Sequence, residues 1–462
     1  MGKEMKNKIL KVLVSKSYKK RLTALLLVSG ILLFLVNCSS AIETVTDTSN
    51  FHNPRTTVPS GTSYEDTETH EFDESSSLNS YYLYAQRNNR RIQAAYSQWQ
   101  AAVEVPLQRY ILPNPQVSFQ ADDSFKSREL MLQQSFPWFG KRGLQKDAAQ
   151  SSAWAKFGRY REIKFDVFQE LRSAFAEYYY LAQGIETTKE TLLLVEYFKD
   201  VVRRKYETGS AEHADVIRVE VETEKLRDKL SHLEEARLPQ RARINKLLGR
   251  SPSLPLPEPI HLVKEEERKE LPEEKLKEFA VTNNPSLLAH CHLVDRQQAS
   301  LELARKEYYP DFTLGLMRME EGMGGMGESL HAMMVSIDIP IWRAAYDAGV
   351  REAEKEYEAK YYFLGDAKYE IEMEMERALF SFRDASRRVG LYEDHLLPKA
   401  RESLGTMETA YRAGKVEIID WLDAQRELLN FELEKNHARS EYFKAIGEIE
   451  KLIGKHIEEI KE

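Results

Sequence analysis

The side chains best suited to chemistry fall into three groups. Asp420 and Asp423 stand three residues apart, so on a helix their carboxylates share one face. Asp215 and Asp420 each follow a glycine turn, where a carboxylate also favours the positive start of a helix. Met317, Met319, Met323, Met326, Met333 and Met334 crowd in and beside one hairpin loop. Thioethers suit Cu(I) and, by the same softness, silver. They equally suit the packing of a wall or a loop. The third group, His290-Cys291-His292, has ligand types at an unhelpful spacing, because neighbours at i and i+2 on a helix diverge. A surface or packed patch is expected there, and no metal site is assigned. The chain holds no phosphate-cradling Gly-Lys-Ser loop, no His-Glu-x-x-His and no Cys-x-x-Cys. It is not read as an enzyme, and neither a catalytic residue nor a cofactor is expected.

The turns that carry these acids come in two copies. Tyr206-Glu207-Thr208-Gly209 running to Asp215 matches Tyr411-Arg412-Ala413-Gly414 running to Asp420 at a constant offset of 205 residues (411 − 206, 414 − 209, 420 − 215). Leu248-Gly249-Arg250 and Ile453-Gly454-Lys455 keep that offset, and Phe136-Pro137-Trp138 answers Ile339-Pro340-Ile341-Trp342 at 203 (340 − 137). Such a spacing far exceeds the repeats of solenoids and propellers, so each copy is half of one architecture.

Composition narrows the class. Of 462 residues, 42% are hydrophobic and 30% charged, which excludes a bundle of transmembrane helices and suits long amphipathic ones. Two cysteines, Cys38 and Cys291, supply no internal disulfide framework. Residues 1–37 read as an export signal: eight basic residues precede a 15-residue apolar run, 22–36, too short for an ordinary spanning helix. Leu35-Val36-Asn37-Cys38 resembles a bacterial lipoprotein box, with Asn37 where a smaller residue is usual, so Cys38 is expected to carry lipid. Loss of those eight bases and of Glu4 moves the net charge from −8 to −15, which argues against a nucleic-acid partner. Residues 38–77, rich in Ser, Thr, Asp, Glu and Pro, read as a disordered tether.

Beyond the tether, helical spacing dominates. Phe168, Leu171, Phe175 and Tyr178 step by three and four, as do Leu226, Leu230 and Leu233, and Tyr442, Ile446, Ile449 and Ile453. Residues 141–205 are 65 positions without proline, about 100 Å as one helix, and 343–410 are a comparable 68. Each ends at a glycine turn. The returning segments, 211–248 and 416–453, hold 38 residues each, and the leading segments, 77–108 and 285–309, hold 32 and 25. A returning and a leading helix stacked end to end would match one long helix and could line a wall of even height.

Between the leading and long helices the period changes to two. Val117, Phe119 and Ala121, then Leu130, Leu132 and Phe136, alternate with mostly polar neighbours. Phe312, Leu314 and Leu316, then Val335, Ile337 and Ile339, do the same in the second copy. Strands are expected at about 115–121, 129–136, 311–319 and 330–339, as two hairpins. Four strands leave open edges, which lipid does not tolerate. Closure needs other protomers, and three copies give about twelve strands, an even number suited to a barrel.

The duplicated hairpin-plus-long-helix plan, the Tyr-x-x-Gly-x-x-x-x-x-Asp turns and the stretch Gln133-Gln134-Ser135-Phe136-Pro137-Trp138-Phe139-Gly140-Lys141-Arg142 resemble the TolC family of outer-membrane efflux channels, most of all its heavy-metal-resistance branch of outer-membrane factor lipoproteins. The resemblance implies a mainly α protein with a small β part. It also implies a homotrimer whose twelve-stranded barrel crosses the outer membrane and continues as a periplasmic α-helical barrel. The division is then 1–37 signal, 38–77 tether, 78–250 first repeat, 251–284 equatorial linker, 285–455 second repeat and 456–462 tail. By the same resemblance Tyr411, Asp420 and Asp423 are the periplasmic gate, with Val416 where the family has a basic residue. In the first copy Arg218 stands where Asp423 stands in the second, and Tyr206, Gly209, Asp215 and Gly414 mark the turns that would meet the periplasmic adaptor. The implied function is a passive exit duct for heavy-metal cations or drugs, working with a periplasmic adaptor and an inner-membrane pump of the RND type. The alternatives are a duct for type I protein secretion, or a periplasmic coiled-coil scaffold lipoprotein, which would have no use for the strands.

Overall fold

In the computed structural model of the chain, the first copy runs α1 (Leu78–Asn88), α2 (Arg90–Val103), α3 (Val105–Tyr110), β1 (Gln116–Ala121), β2 (Ser127–Phe136), α4 (Lys141–Glu207) and α5 (His213–Leu248). The second runs α6 (Glu273–Asn283), α7 (Pro285–Lys306), β3 (Asp311–Glu321), β4 (Glu328–Asp338), α8 (Arg343–Gly390), α9 (Leu397–Arg412) and α10 (Ile418–Ile453). The structure describes residues 72, 76–121, 127–259, 271–321 and 328–457, all within one unit that spans 64–462. The signal segment, Cys38, nearly all of the tether, both hairpin tips with Met323 and Met326, and the last residues of the tail lie outside the described residues. Among the described residues no helix is long and apolar enough to cross a membrane.

The apolar seams become the cores that hold the long helices. Phe168, Leu171, Phe175 and Tyr178 of α4 are buried with Tyr81, Tyr82, Ile244 and Leu248. Ile446, Ile449 and Ile453 of α10 are buried with Met375 and Leu379 of α8. A lone helix of 67 residues does not hold its length by propensity, so these continuous seams against α2, α3, α5, α7 and α10 stabilise α4 along its run. Polar links join the copies at mid-length: the Arg172 guanidinium lies 3.2 Å from Glu450 and donates to the Tyr82 hydroxyl at 2.9 Å. Lys444 meets Glu177 at 2.7 Å, and Lys451 meets Asp166 at 3.0 Å.

The two copies are more alike than the sequence suggests. α6 falls within 251–284, the span assigned to a linker, yet Leu276 and Ala280 are fully buried against Ile371, Leu379 and Ile453. The leading segment of each copy is therefore broken, at Asn89 between α1 and α2 and at Asn284 between α6 and α7. The Asn89 side chain accepts from the amides of Arg91 and Ile92 and donates to the Leu247 carbonyl at 2.7 Å. Asn284 accepts from Ser286 and Leu287 and donates to the Leu452 carbonyl at 2.9 Å. One buried amide thus caps a leading helix and ties it to the end of the returning one. Gly249 (φ 76°) and Gly454 (φ 63°) end α5 and α10 against these breaks. A Cβ on Gly249 would lie 2.3 Å from the Asn88 carbonyl oxygen. Returning and leading helices do meet end to end, but in the first copy at Asn89, inside the leading segment read as 77–108, so that α2 and not α1 continues α5.

Two other differences have local causes. Residues 343–412 are not one regular α-helix, because Pro398 cannot donate its amide. The chain widens to a π turn, Leu391–Leu396, and resumes as α9 with Pro398 in its first turn. Glu393 in that turn is held by Arg439 of α10 at 2.5 Å. Phe72, within the span read as tether, stacks on Tyr81 with ring centroids 4.2 Å apart.

The four strands form one antiparallel meander, β1-β2-β3-β4, with β2 and β3 joining the two hairpins. Its outer edges, β1 and β4, carry no partner strand among the described residues. The register places Val117 beside Leu132, Leu132 beside Leu316 and Leu316 beside Met333, with Phe136, Phe312 and Ile337 in line nearer the helices.

Candidate functional site

The two turns lie together at the far end of the long helices. Val195, Phe198 and Val202 of α4, Val216 and Val219 of α5, and Tyr411, Ile418, Trp421 and Leu422 form their shared core. Trp421 is fully buried and stacks on Phe198 at 3.8 Å between ring centroids. Burial of Trp421 and Leu422 fixes the rotation of α10, and that rotation leaves Asp420 and Asp423 exposed. Both turns close on a left-handed glycine, Gly209 (φ 74°) and Gly414 (φ 70°), a conformation that a side chain resists.

The acids do local work as well. Asp420 is the third residue of α10, and its carboxylate accepts from the Glu417 amide at 3.2 Å, while the Glu417 side chain accepts in return: a capping box. Asp215 forms the same box with Glu212. The preference for a helix start is therefore realised at both positions. Asp423 has no such duty, and it meets Arg426 at 2.6 Å. Arg426 also reaches Glu222 of α5 at 2.9 Å, a carboxylate that is buried apart from this partner and Lys225 at 3.9 Å. Hydrogen bonding to Glu222 holds the Arg426 guanidinium above its ordinary pKa. Arg218 spans the copies more loosely, 3.2 Å from Asp215 and 3.9 Å from Glu417.

The matched tyrosines part company. Tyr206 is exposed and lies against His213. Tyr411 is 5% exposed, its hydroxyl has no hydrogen-bond partner among the described residues, and burial with the nearby Asp215 charge pushes its pKa up to about 12. Lys205 covers its ring at 4.0 Å and donates to its carbonyl at 2.9 Å. The structure thus brings Tyr411 and Asp215 together across the copies, and it keeps Asp420 and Asp423 on the open side of the same core.

Sequence reasoning missed Glu222 and Arg426, because nothing in a run of alternating charges marks the one carboxylate that the partner helix buries. It also missed Lys141, which begins α4. The Lys141 side chain is 4% exposed, and its ammonium lies 3.1 Å from Glu307, 3.0 Å from Asp311 and 3.2 Å from the Tyr309 carbonyl. Burial pulls its pKa down, but the two carboxylates more than offset that and hold it above the ordinary lysine value. Asp311 also accepts from the Trp138 amide at 2.7 Å. This cluster locks both copies where strands become helices.

Around that junction stands a collar of aromatic and apolar side chains: Phe139, Ile339, Ile341 and Trp342 are exposed, and Trp138 stacks on Tyr309. Above it, one face of the sheet presents Val117, Phe119, Leu130, Leu132, Leu314, Leu316, Val335 and Ile337 outward, all exposed. On β3 and β4 that band covers three side-chain rows, or roughly 14 Å, before Arg318 and His331 interrupt it in the fourth. An apolar band above an aromatic collar is the pattern that the lipid-facing side of a membrane barrel carries. His292, by contrast, stacks on Trp154 and pairs with Asp295, and no cluster of three or more His, Cys, Asp or Glu among the described residues could hold a metal.

Residues 278–455 match the family described as outer membrane efflux protein. The chain is 22% identical over 371 residues to the cobalt-zinc-cadmium resistance protein CzcC of Cupriavidus metallidurans, covering 76% of this chain and 83% of that protein. Its fold superposes on the channel protein CusC with a TM-score of 0.72 at 15% identity, over 85% of this chain and 95% of that one. For the outer membrane protein VceC of Vibrio cholerae the TM-score is 0.69 at 16% identity, over 82% and 96% of the two chains. The second copy thus matches the outer membrane efflux family by sequence, and over most of its length the chain shares the fold of these solved outer-membrane proteins.

Proposed function

We propose that this TolC-like chain is a passive exit duct in the outer membrane, assembled from three copies, and that heavy-metal cations are its cargo. The observation that carries the reading is the open four-stranded sheet with one exposed apolar face, joined through the Lys141 cluster to helices about 100 Å long. Its unpartnered edges, β1 and β4, need neighbours, and two further copies supply them with twelve strands in all. The helices continue the passage through the periplasm to the paired turns, where a periplasmic adaptor and an inner-membrane pump of the RND type connect. The duct has no energy source of its own. Tyr411, Asp420 and Asp423 form the gate at the turns, with Tyr206, Gly209, Asp215 and Gly414 toward the adaptor. Similarity to a cobalt-zinc-cadmium resistance protein supports the cargo class.

The test has two parts. Purified chain should run as a heat-resistant trimer from outer-membrane fractions and form channels in planar bilayers. A strain that lacks the gene should become more sensitive to zinc, cobalt, cadmium, copper or silver than to organic drugs. Recovery of the protein only as soluble periplasmic monomer would overturn the duct. A strain sensitised to drugs alone would overturn the cargo.

A further inference from the structure

The duct reading leaves one feature of the sheet unused. On the face opposite the apolar band, the register sets Met131 of β2 directly across from Met317 of β3. Met319 follows two residues along β3, and Met334 of β4 lies across from Gly315, on the diagonal from Met317. Strands are about 4.8 Å apart and alternate residues about 6.8 Å apart, so each of the other three stands within about 8 Å of Met317 at the backbone. A flexible thioether side chain spans that gap. Gly315 helps to gather them, because a Cβ there would meet the Met334 methyl at 3.2 Å and the Gln133 side chain at 3.6 Å. Met334 therefore fills the space that the missing side chain leaves and leans toward β2, where the Gln133 amide lies against the Met131 sulfur. All four methionines are half-buried, while Met333, on the lipid-side face, is 73% exposed.

We propose that Met131, Met317, Met319 and Met334 form a thioether site on the lumen face for soft monovalent cations, Cu(I) or Ag(I), in transit through the barrel. The proposal rests on the duct reading, which makes this face the lumen. Thioethers are soft and neutral, so they favour Cu(I) and Ag(I) over oxygen-seeking Mg2+ and Ca2+. A neutral donor set also lets the ion leave, which conduction requires. The neighbouring lumen groups, Ser118, Gln133 and Ala332, add no charge, and Glu129 beside Met319 adds one carboxylate toward the loops.

The experiment uses the full chain in planar bilayers, in chloride-free nitrate buffer, with silver nitrate and magnesium nitrate as probes. Cys291 is an exposed thiol that would itself take silver, so the parent carries Cys291→Ser. Ag(I) should reduce the conductance of the parent. The triple variant Met131→Leu, Met317→Leu, Met334→Leu, which conserves volume, should need about tenfold more Ag(I) for the same block and keep its response to Mg2+. Met317→Leu alone should shift the Ag(I) response in the same direction, and it serves if the triple variant fails to assemble. Channels with an unchanged Ag(I) response in the variants would overturn the site and leave the duct standing. A parent that forms no channels would overturn the duct, and the lumen site with it.

Discussion

Arg426→Ala should loosen the turns and raise the fraction of time that the duct is open. Glu222 is buried and takes its main charge partner, at 2.9 Å, from another helix of the other copy. Two unit charges near 4 Å attract by about 4 kcal/mol at an effective dielectric of 20. Desolvation takes back much of this, and the Arg426 side chain is 38% exposed, so water screens it. A net coupling of about 1–3 kcal/mol per protomer remains, in the range measured for close interfacial pairs. If α5 and α10 must part for the passage to widen, that energy belongs to the closed form. Removing it should raise the open-to-closed ratio about 5–150-fold per protomer. The Asp423 contact to the same guanidinium is exposed and within one helix, worth about 0.3–0.5 kcal/mol, so it does not account for such a change. Single-channel open probability of Arg426→Ala, Glu222→Gln and the double variant forms a complete cycle. Wild-type open probability in Arg426→Ala, or single effects that simply add in the double variant, would refute the latch.

Three other outcomes follow from the same geometry. Ile337→Arg places a charge on the exposed apolar face and should cost about 2–4 kcal/mol and impair assembly, whereas Ser336→Arg, on the opposite face, should cost much less; equal trimer yields on a semi-native gel would contradict the face assignment. Asp420→Asn with Asp423→Asn should weaken cation selectivity and divalent block from the turn side yet leave the trimer intact, since asparagine still accepts the Glu417 amide; unchanged reversal potentials would reduce both acids to helix-start residues. Tyr411 has a folded pKa of about 12 against an ordinary value near 10, so its share of stability is present below pH 10 and is lost as pH rises toward 12; Tyr411→Phe should remove that alkaline loosening, read as hydrogen exchange at the turns, and an unaltered alkaline profile would exclude it as the cause.

What the sequence made legible was whatever repeats or alternates. The glycine turns, the seams through Phe168 and Ile449, and the strand faces all follow from periods of 3.6 and 2, which each residue reports for itself. Pairwise facts stayed hidden. Asn89 and Asn284 look like ordinary turn residues, and only the structure shows each amide reaching a carbonyl on a helix about 160 residues away. The same blindness let α6 pass for linker, since Asn284-Pro285 reads as a boundary when it is a capped break inside a helix pair. Pro398 was hidden differently, because a π turn absorbs it without ending the helix. At the turns, spacing found Asp420 and Asp423 but gave no sign that Tyr411 is buried while its counterpart Tyr206 is exposed.

That last difference bears on how two copies would divide the roles of the proposed gate. Two identical copies would face a passage with identical turns, and neither could move without the other giving the same reason to move. Here the copies share one core at the turns but divide its roles. The first supplies the buried Glu222 and the cation Lys205, and the second supplies Arg426 and the covered Tyr411. Every polar link between the turns therefore runs from one copy to the other, and none of them restrains motion within α9 and α10. The π turn before Pro398 falls between α8, packed against α6, α7 and α10, and α9, packed chiefly against α10 with Tyr411 in the core shared with α4. If the passage opens at the turns, α9, joined to α8 through a π turn and to the first copy through Tyr411 and Lys205, has the least packing to give up, whereas α10 is held to α4 by the buried Trp421 core.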